Sequence, residues 1–357
     1  MLILNLNKKQ KAKDHRIKNE VDKIQKNRLE RIDLAIFSGC NLRCKHCYQA
    51  DSKERNLLLH LDKIKEILSD AKKMGASELT LTGGEPLLHP NFNEILHFAG
   101  KLGYKIRLLT NGVFVTKQIA DKLVKYPVDV QISLDGTKEI HEFLRGQNTF
   151  KQTIRGIKFL VSQNIRVIIN TQLTSKIFPK IDKYVNSLNS LGVSEVIFSI
   201  TGLFGAAEYN QIFTPSNCLK QIRKILNIDI KQQQKNQETH KCGALINRLA
   251  INYDGVVYPC DFFKSIGHYS LGNIYHEKIG DIYTNWANSN CGLIKYLTKG
   301  LKECNDCKFK NLCQACPARI FSIYKDFNHP DLMYCLLFCK KKISEKISLS
   351  KLVYGRI

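Results

Sequence analysis

The chain has 357 residues, 43% of them apolar and 24% charged, with a formal net charge of +23. This is the balance of a folded protein with a sizeable core, which excludes general disorder, and no run of roughly 18 or more apolar residues is present, which argues against a membrane-spanning helix. Thirteen cysteines without a secretory leader point to a cytoplasmic chain whose thiols ligate metal rather than pair as disulfides.

The positive charge fits an acidic partner such as a substrate peptide. No nucleic-acid motif accompanies it, so specific nucleic-acid binding is not expected. Residues 1–31 read as a basic N-terminal segment, of which the polar stretch 7–31 is best taken as a solvated arm. A strand is expected over 32–37, then a helix over 59–75 stopped by Gly75. A strand over 78–82 runs into Gly83-Gly84 and is followed by a helix over 92–103. A strand over 105–110 ends at Asn111-Gly112, a helix follows over 116–126, and a strand over 128–134 ends at Asp135-Gly136. A helix over 150–164, a strand over 166–173, a helix over 179–192 and a strand over 195–200 complete the series.

Six such repeats imply an α/β fold with a parallel sheet. They are too few for an eight-fold barrel, so an open, partial (β/α)6 barrel is expected over 32–240, with functional groups at the C-terminal ends of its strands. Residues 216–241 read as a basic, glutamine-rich helix and linker. From Cys242 the periodicity is poor and cysteines are dense, which suggests a small, irregular, metal-stapled domain over 241–340 and a basic tail over 341–357.

The first cysteine group follows the first barrel strand: Cys40, three residues, Cys44, two residues, Cys47, then Tyr48. A compact loop with this spacing can aim three thiolates at one cuboidal iron–sulfur cluster, leaving one iron open to substrate. A zinc site needs a fourth ligand, for which His46 is available by type. A redox dithiol needs only Cys44 and Cys47. The spaced trio after a strand favours the open cluster.

Cys-x3-Cys-x2-Cys followed by an aromatic resembles the signature of the radical S-adenosylmethionine (SAM) superfamily. Gly83-Gly84-Glu85-Pro86, at the end of the second strand, resembles that family's second motif. The resemblance covers roughly residues 32–200. It implies a SAM cofactor and one 4Fe–4S cluster at Cys40, Cys44 and Cys47, with the glycine turn and Glu85 at the methionine ammonium. The same resemblance makes Ser133 a contact to the cofactor's ribose or carboxylate and Arg145 a bidentate partner of that carboxylate. Ordinary turn chemistry also accounts for Asn-Gly and Asp-Gly.

Cys242, Gly255 and Cys260, then Cys304-x2-Cys307-x5-Cys313-x2-Cys316 and Cys335, resemble the SPASM extension of peptide-modifying radical SAM enzymes. The departure is the two-residue gap before Cys316, where three are usual. The resemblance implies two auxiliary 4Fe–4S clusters, one on Cys304, Cys307, Cys313 and Cys335, with Cys339 the alternative to Cys335. The other takes Cys242, Cys260 and Cys316, with an open corner or a non-cysteine ligand. A zinc ribbon also fits Cys304 to Cys316. Cys218 and Cys291 fit no pattern and read as structural thiols. The implied activity is reductive cleavage of SAM to a 5′-deoxyadenosyl radical that modifies a peptide or protein substrate by thioether or carbon–carbon crosslinking, oxidation or epimerisation. The implied partners are a flavodoxin- or ferredoxin-type electron donor and a separate leader-recognition protein. A small-molecule or haem-related maturase on the same scaffold and a non-catalytic iron–sulfur electron carrier are the rivals.

Overall fold

The computed structural model describes residues 2–5, 29–49, 56–201, 206–210, 212, 242–267, 269–287, 289, 291–305, 307, 315–331 and 335. Its strands are β1 (Leu2–Asn5), β2 (Arg31–Phe37), β3 (Glu78–Gly83), β4 (Lys105–Thr110), β5 (Val128–Ser133), β6 (Val167–Leu173), β7 (Glu195–Ile200), β8 (Arg248–Ile251), β9 (Val256–Tyr258) and β10 (Gly272–Asn273). Among the described residues they form one sheet in the order β1-β7-β6-β5-β4-β3-β2-β8-β9-β10. Strands β2 to β7 are all parallel, the six-strand half-barrel that the alternation of segments implies.

The sequence explains the layering. Ile32, Leu34, Ala35 and Ile36 on β2 are fully buried, and Leu79, Thr80, Leu81 and Thr82 on β3 are buried. Near-continuous burial is what a parallel strand covered on both faces requires. Helix α1 (Leu61–Lys73) buries Ile64, Ile67, Leu68 and Ala71, and α2 (Phe92–Lys101) buries Phe92, Ile95, Leu96 and Ala99. Both show the three- and four-residue spacing of a single helix face. Helix α3 (Lys117–Leu123) is capped by Thr116, whose hydroxyl accepts from the Ile119 amide.

Two features depart from the sequence expectation. Leu2–Asn5, within the N-terminal segment expected to lie outside the barrel, joins its sheet: it pairs antiparallel with β7, Leu2 opposite Phe198, and covers an otherwise open sheet edge. Residues 6–28 and the expected linker at 216–241 lie outside the described residues. The sheet also does not stop at the expected boundary near 240, because β8 pairs in parallel with β2, Arg248 opposite Arg31, and β9 and β10 extend it further.

Between β5 and the expected helix at 150–164 the chain inserts α4 (Lys138–Arg145), ended by Gly146 at φ 113°. The expected helix follows as α5 (Thr149–Ser162). Ile140 and Leu144 of α4 form a small separate apolar cluster with Ala207 and Ile212, packing α4 on the short α7 (Ala206–Tyr209); α6 (Ile181–Asn189) lies between. At the opposite, N-terminal end of the strands, Arg31 pairs with Glu78, and Arg166 pairs with Asp129 at 2.8 Å and with Glu195.

Tyr184 on α6 is 1% exposed, and its hydroxyl donates to the Leu134 carbonyl at 2.7 Å and meets Thr171 Oγ1 at 2.7 Å. It thus pins the end of β5 just before Asp135. Tyr184→Phe is expected to cost about 1–2 kcal/mol of stability, read as a lowered urea midpoint; an unchanged midpoint would count against this pinning role.

Candidate active site

The cysteine loop leaves β2 at Phe37 and is tied at every turn to the strand ends around it. The Ser38 amide donates to Leu57 O and the Leu57 amide to Ser38 Oγ, both at 2.9 Å. The Lys45 amide donates to Leu144 O at 2.8 Å and the Ala206 amide to Cys47 O at 2.9 Å. Asn111, at the end of β4, donates through Nδ2 to Asn41 Oδ1 at 2.8 Å and reaches Cys40 Sγ at 3.8 Å. Cys40, Cys44 and Cys47 are half-buried and unoxidised. Burial raises the Cys40 thiol, and it pushes Cys44 up to about 12 against the pull of Arg145.

The glycine turn sits directly on this loop. Gly84 N donates to Phe37 O at 2.8 Å and Glu85 N to Gly39 O at 2.9 Å. A Cβ on Gly84 would lie 2.4 Å from Gly39 O and 2.5 Å from Ser38 O. One on Gly83, at φ 140°, would lie 2.3 Å from Phe37 O. The pair is glycine because backbone meets backbone here. Pro86 is buried behind it.

The Glu85 side chain differs from its expected role at an ammonium. It is fully buried and accepts from Thr110 Oγ1 at 2.8 Å, the Asn111 amide at 2.9 Å and the Leu87 amide at 3.2 Å. Its carboxylate staples the end of β3 to the end of β4 and faces inward. Burial raises it to about 7, against those three donors.

Arg145 is likewise committed within the protein. Its Nε donates to Asp135 Oδ2 at 2.7 Å, Nη2 lies 3.2 Å from His46 Nε2, and Nη1 reaches Cys44 Sγ at 3.8 Å. The expected pairing with a cofactor carboxylate therefore competes with a buried ion pair. Asp135 is fully buried; burial alone would raise its pKa, but Arg145, with His46 and His141, outweighs that and holds it low. Its other oxygen accepts from the Gln172 amide at 2.8 Å. His46, the alternative zinc ligand, turns Nε2 to within 3.4 Å of Asp135 Oδ2 and is kept neutral by burial, at about 4. Ser133 ends β5, half-buried and opposite Asn170.

In the second group, burial raises the thiols of Cys242 and Cys260, and the proximity of Cys316 to both, and of Cys242 to Cys260, adds to it. The Cys316 amide donates to Asp331 Oδ2 at 2.9 Å at the start of the helix Pro317–Tyr324. Cys307 N donates to Cys304 O at 3.2 Å, and Cys335 N to Asp331 O at 3.0 Å. Cys313, Cys339 and Cys218 lie outside the described residues. Cys291 precedes the helix Gly292–Lys299, and although burial opposes it, contacts from Ser289, Ile294 and Tyr269 hold its thiol low.

The two cysteine groups meet at a seam. Tyr48, next to Cys47, donates its hydroxyl to Asp261 Oδ2 at 3.3 Å, and Asp261, next to Cys260, lies 2.8 Å from the buried Lys264 ammonium. Sequence reasoning marks Asp135 and Asn111 only as strand-end turns and passes over Asp261 and Lys264. Adjacency to a cysteine is the one signal that could have found Asp261.

Comparison with known proteins agrees with this geometry. Residues 34–200 match the radical SAM superfamily model and residues 242–317 match an iron–sulfur cluster-binding domain, together more than half of the chain. The chain belongs to the radical SAM superfamily. It is 29% identical over 262 residues to the antilisterial bacteriocin subtilosin biosynthesis protein AlbA of Bacillus subtilis, a match covering 69% of this chain and 57% of that protein. It is 26% identical over 343 residues to an AdoMet-dependent heme synthase of Methanosarcina barkeri, covering 86% and 96%. Its fold superposes on Streptococcus suis SuiB bound to precursor peptide SuiA with a TM-score of 0.70 at 17% identity, covering 93% of this chain and 84% of SuiB.

The residues of this radical SAM chain fit a cluster. Three free thiols lie near one another, Asn111 and Arg145 supply donors to two of the sulfurs, and the glycine turn closes on the loop. Among the described residues no three His, Cys, Asp or Glu side chains form a group that could hold a single metal ion; a cuboidal cluster is larger and asks for its thiolates further apart. Burial disfavours bare thiolates here, so a cationic iron centre completes the electrostatics.

Gly84→Ala is expected to cost about 1–3 kcal/mol through overpacking and to lower iron uptake on anaerobic reconstitution; normal iron content would show that the seam tolerates a side chain. The raised pKa of Glu85 makes its proton bind more tightly in the folded chain. That stability is complete below the unfolded carboxyl value and lost as pH rises through about 7. Glu85→Gln should remove this slope, so its melting temperature should gain on wild type between about pH 5 and 8. Parallel pH profiles would contradict the inward carboxylate.

Proposed function

We propose that this chain reductively cleaves SAM and uses the resulting radical to modify a peptide or protein substrate. The observation that carries the reading is the convergence of Cys40, Cys44 and Cys47 on the Gly83-Gly84 turn beside Arg145. When bound, the 4Fe–4S cluster and SAM supply the carbon–sulfur cleavage that yields the 5′-deoxyadenosyl radical. The protein's own part is placement. Cys40, Cys44 and Cys47 hold the cluster; Asn111 and Arg145 orient two of their sulfurs; the backbone of 83–86 and Ser133 line the place for the cofactor. Asp135 fixes the guanidinium of Arg145, and the buried Glu85 keeps β3 and β4 in register so that both loops face one cleft.

Peptide modification is supported by the likeness to AlbA and to peptide-bound SuiB, and by the chain's +23 charge, which suits an acidic leader. We assign two auxiliary 4Fe–4S clusters to the second group, on Cys304, Cys307, Cys313 and Cys335 and on Cys242, Cys260 and Cys316, where they accept or deliver substrate electrons. Among the described residues no helix is long and apolar enough to cross a membrane, and oxygen-sensitive clusters suit the cytoplasm. A flavodoxin- or ferredoxin-type donor, and a separate leader-recognition protein, complete the proposed system. The second reading, cofactor or haem-related maturation, is favoured by the heme synthase that matches over 96% of its own length.

Cys40→Ala, Cys44→Ala or Cys47→Ala is expected to abolish dithionite-driven formation of 5′-deoxyadenosine. Cys304→Ala or Cys307→Ala should spare that cleavage more than product formation. About twelve irons per chain are expected after reconstitution; about four would remove the auxiliary clusters. Clusters without any 5′-deoxyadenosine would leave an electron carrier.

A further inference from the structure

We propose that the patch formed by Lys45, Phe143 and Lys176 is the docking surface for a small acidic one-electron carrier protein. The proposal rests on the reading of the cysteine trio as a cluster that must be reduced from outside. Phe143 stands on α4 with 40% of its surface exposed. Two ammonium groups from two other segments lie over its ring: Lys45 Nζ at 5.4 Å from the centroid and Lys176 Nζ at 4.4 Å. Like charges ordinarily separate; here the ring's negative face holds both. Lys45 and Lys176 are exposed, and neither pairs with a carboxylate among the described residues. The exposed acid of α4, Glu139, is already engaged by the Thr137 hydroxyl at 2.6 Å and by Lys180 at 3.9 Å. Arg43 and Lys138 are also exposed nearby in sequence. Among the described residues the surface is a positive field around one exposed aromatic ring.

Its position gives it a purpose. Lys45 lies between Cys44 and Cys47, and its amide bonds Leu144 O at 2.8 Å. Arg145, two residues beyond Phe143 on the same helix, reaches Cys44 Sγ at 3.8 Å. One short wall of protein therefore has the patch on its outer side and a cluster ligand on its inner side. A carrier seated there brings its redox centre near the cluster through few intervening bonds. The step is a single electron transfer: the carrier is oxidised by one electron and the cluster held by the trio is reduced by one. A few charges around one aromatic anchor suit the small, transient contacts of electron-transfer encounters, steered by charge rather than held by area. Acidic surfaces are the complement of this field.

The test compares two reductants on the reconstituted full chain: chemically reduced flavodoxin, an acidic flavin carrier, and dithionite. The Lys176→Glu/Phe143→Ala variant lies outside the cysteine loop. With flavodoxin, the half-saturating concentration for 5′-deoxyadenosine formation is expected to rise ~10-fold over wild type, and the wild-type rate to fall with added salt. With dithionite, the variant is expected to match wild type. The proposal is overturned by equal half-saturation of the two proteins, by failure of flavodoxin to reduce wild type, by equal loss under both reductants, or by a weakened response to a precursor peptide in place of the carrier. Absence of 5′-deoxyadenosine from wild type with dithionite would instead sink the radical SAM activity, a separate failure.

Discussion

The contact between the chain leaving β2 and the turn leaving β3 sets the geometry of everything above it. At Phe37, Ser38 and Gly39 the backbone of one strand end is pressed against the backbone of Gly83 and Gly84, with carbonyl oxygens where a Cβ would otherwise sit. No side chain can intervene, so the spacing between the cysteine loop and the glycine turn is set by peptide groups, which are stiff and whose hydrogen bonds are directional. Glu85 then locks the same turn to β4 from below through Thr110 and Asn111. Asn111 in turn reaches the cysteine loop, so three strand ends form one rigid rim.

Charge is distributed in two layers around that rim. Inside, Asp135 and Arg145 form a buried pair whose guanidinium extends to Cys44 and His46. A buried ion pair is weak evidence of net stabilisation. Its use here is positional, since it keeps a cation against a thiol whose pKa burial raises. Outside, α4 turns Phe143 and its two lysines to solvent. One helix thus presents a fixed cation to the interior and a basic aromatic patch to a partner, because Phe143 and Arg145 fall on different sides of a 3.6-residue turn.

The two cysteine-bearing parts are joined more closely than a linker model suggests. Strand β8 continues the barrel sheet at the β2 edge, and Tyr48 meets Asp261 across the boundary, each one residue from a cysteine of its own group. Cys242 and Cys260 flank a hairpin of the same sheet whose strand β2 leads into the loop of Cys40. That shared sheet ties the two cysteine groups into one framework.

Much of this was legible in the chain alone. The six parallel strands show as apolar runs separated by helix-period segments, and the functional loops follow strands because a crossover topology leaves only those ends free for chemistry. The trio's spacing and Gly83-Gly84 are likewise local, since a three-thiol loop and a bare-backbone turn are properties of a few consecutive residues. What the tertiary structure alone decided is which way each charged group faces. Glu85 turns inward to β4, Arg145 is taken by Asp135 ten residues away and meets Cys44 from 101 residues away, and Leu2–Asn5 closes a distant edge. These depend on long-range packing and on the electrostatic cost of burying a charge without a partner, and a linear pattern of residue types carries no information about which partner is near.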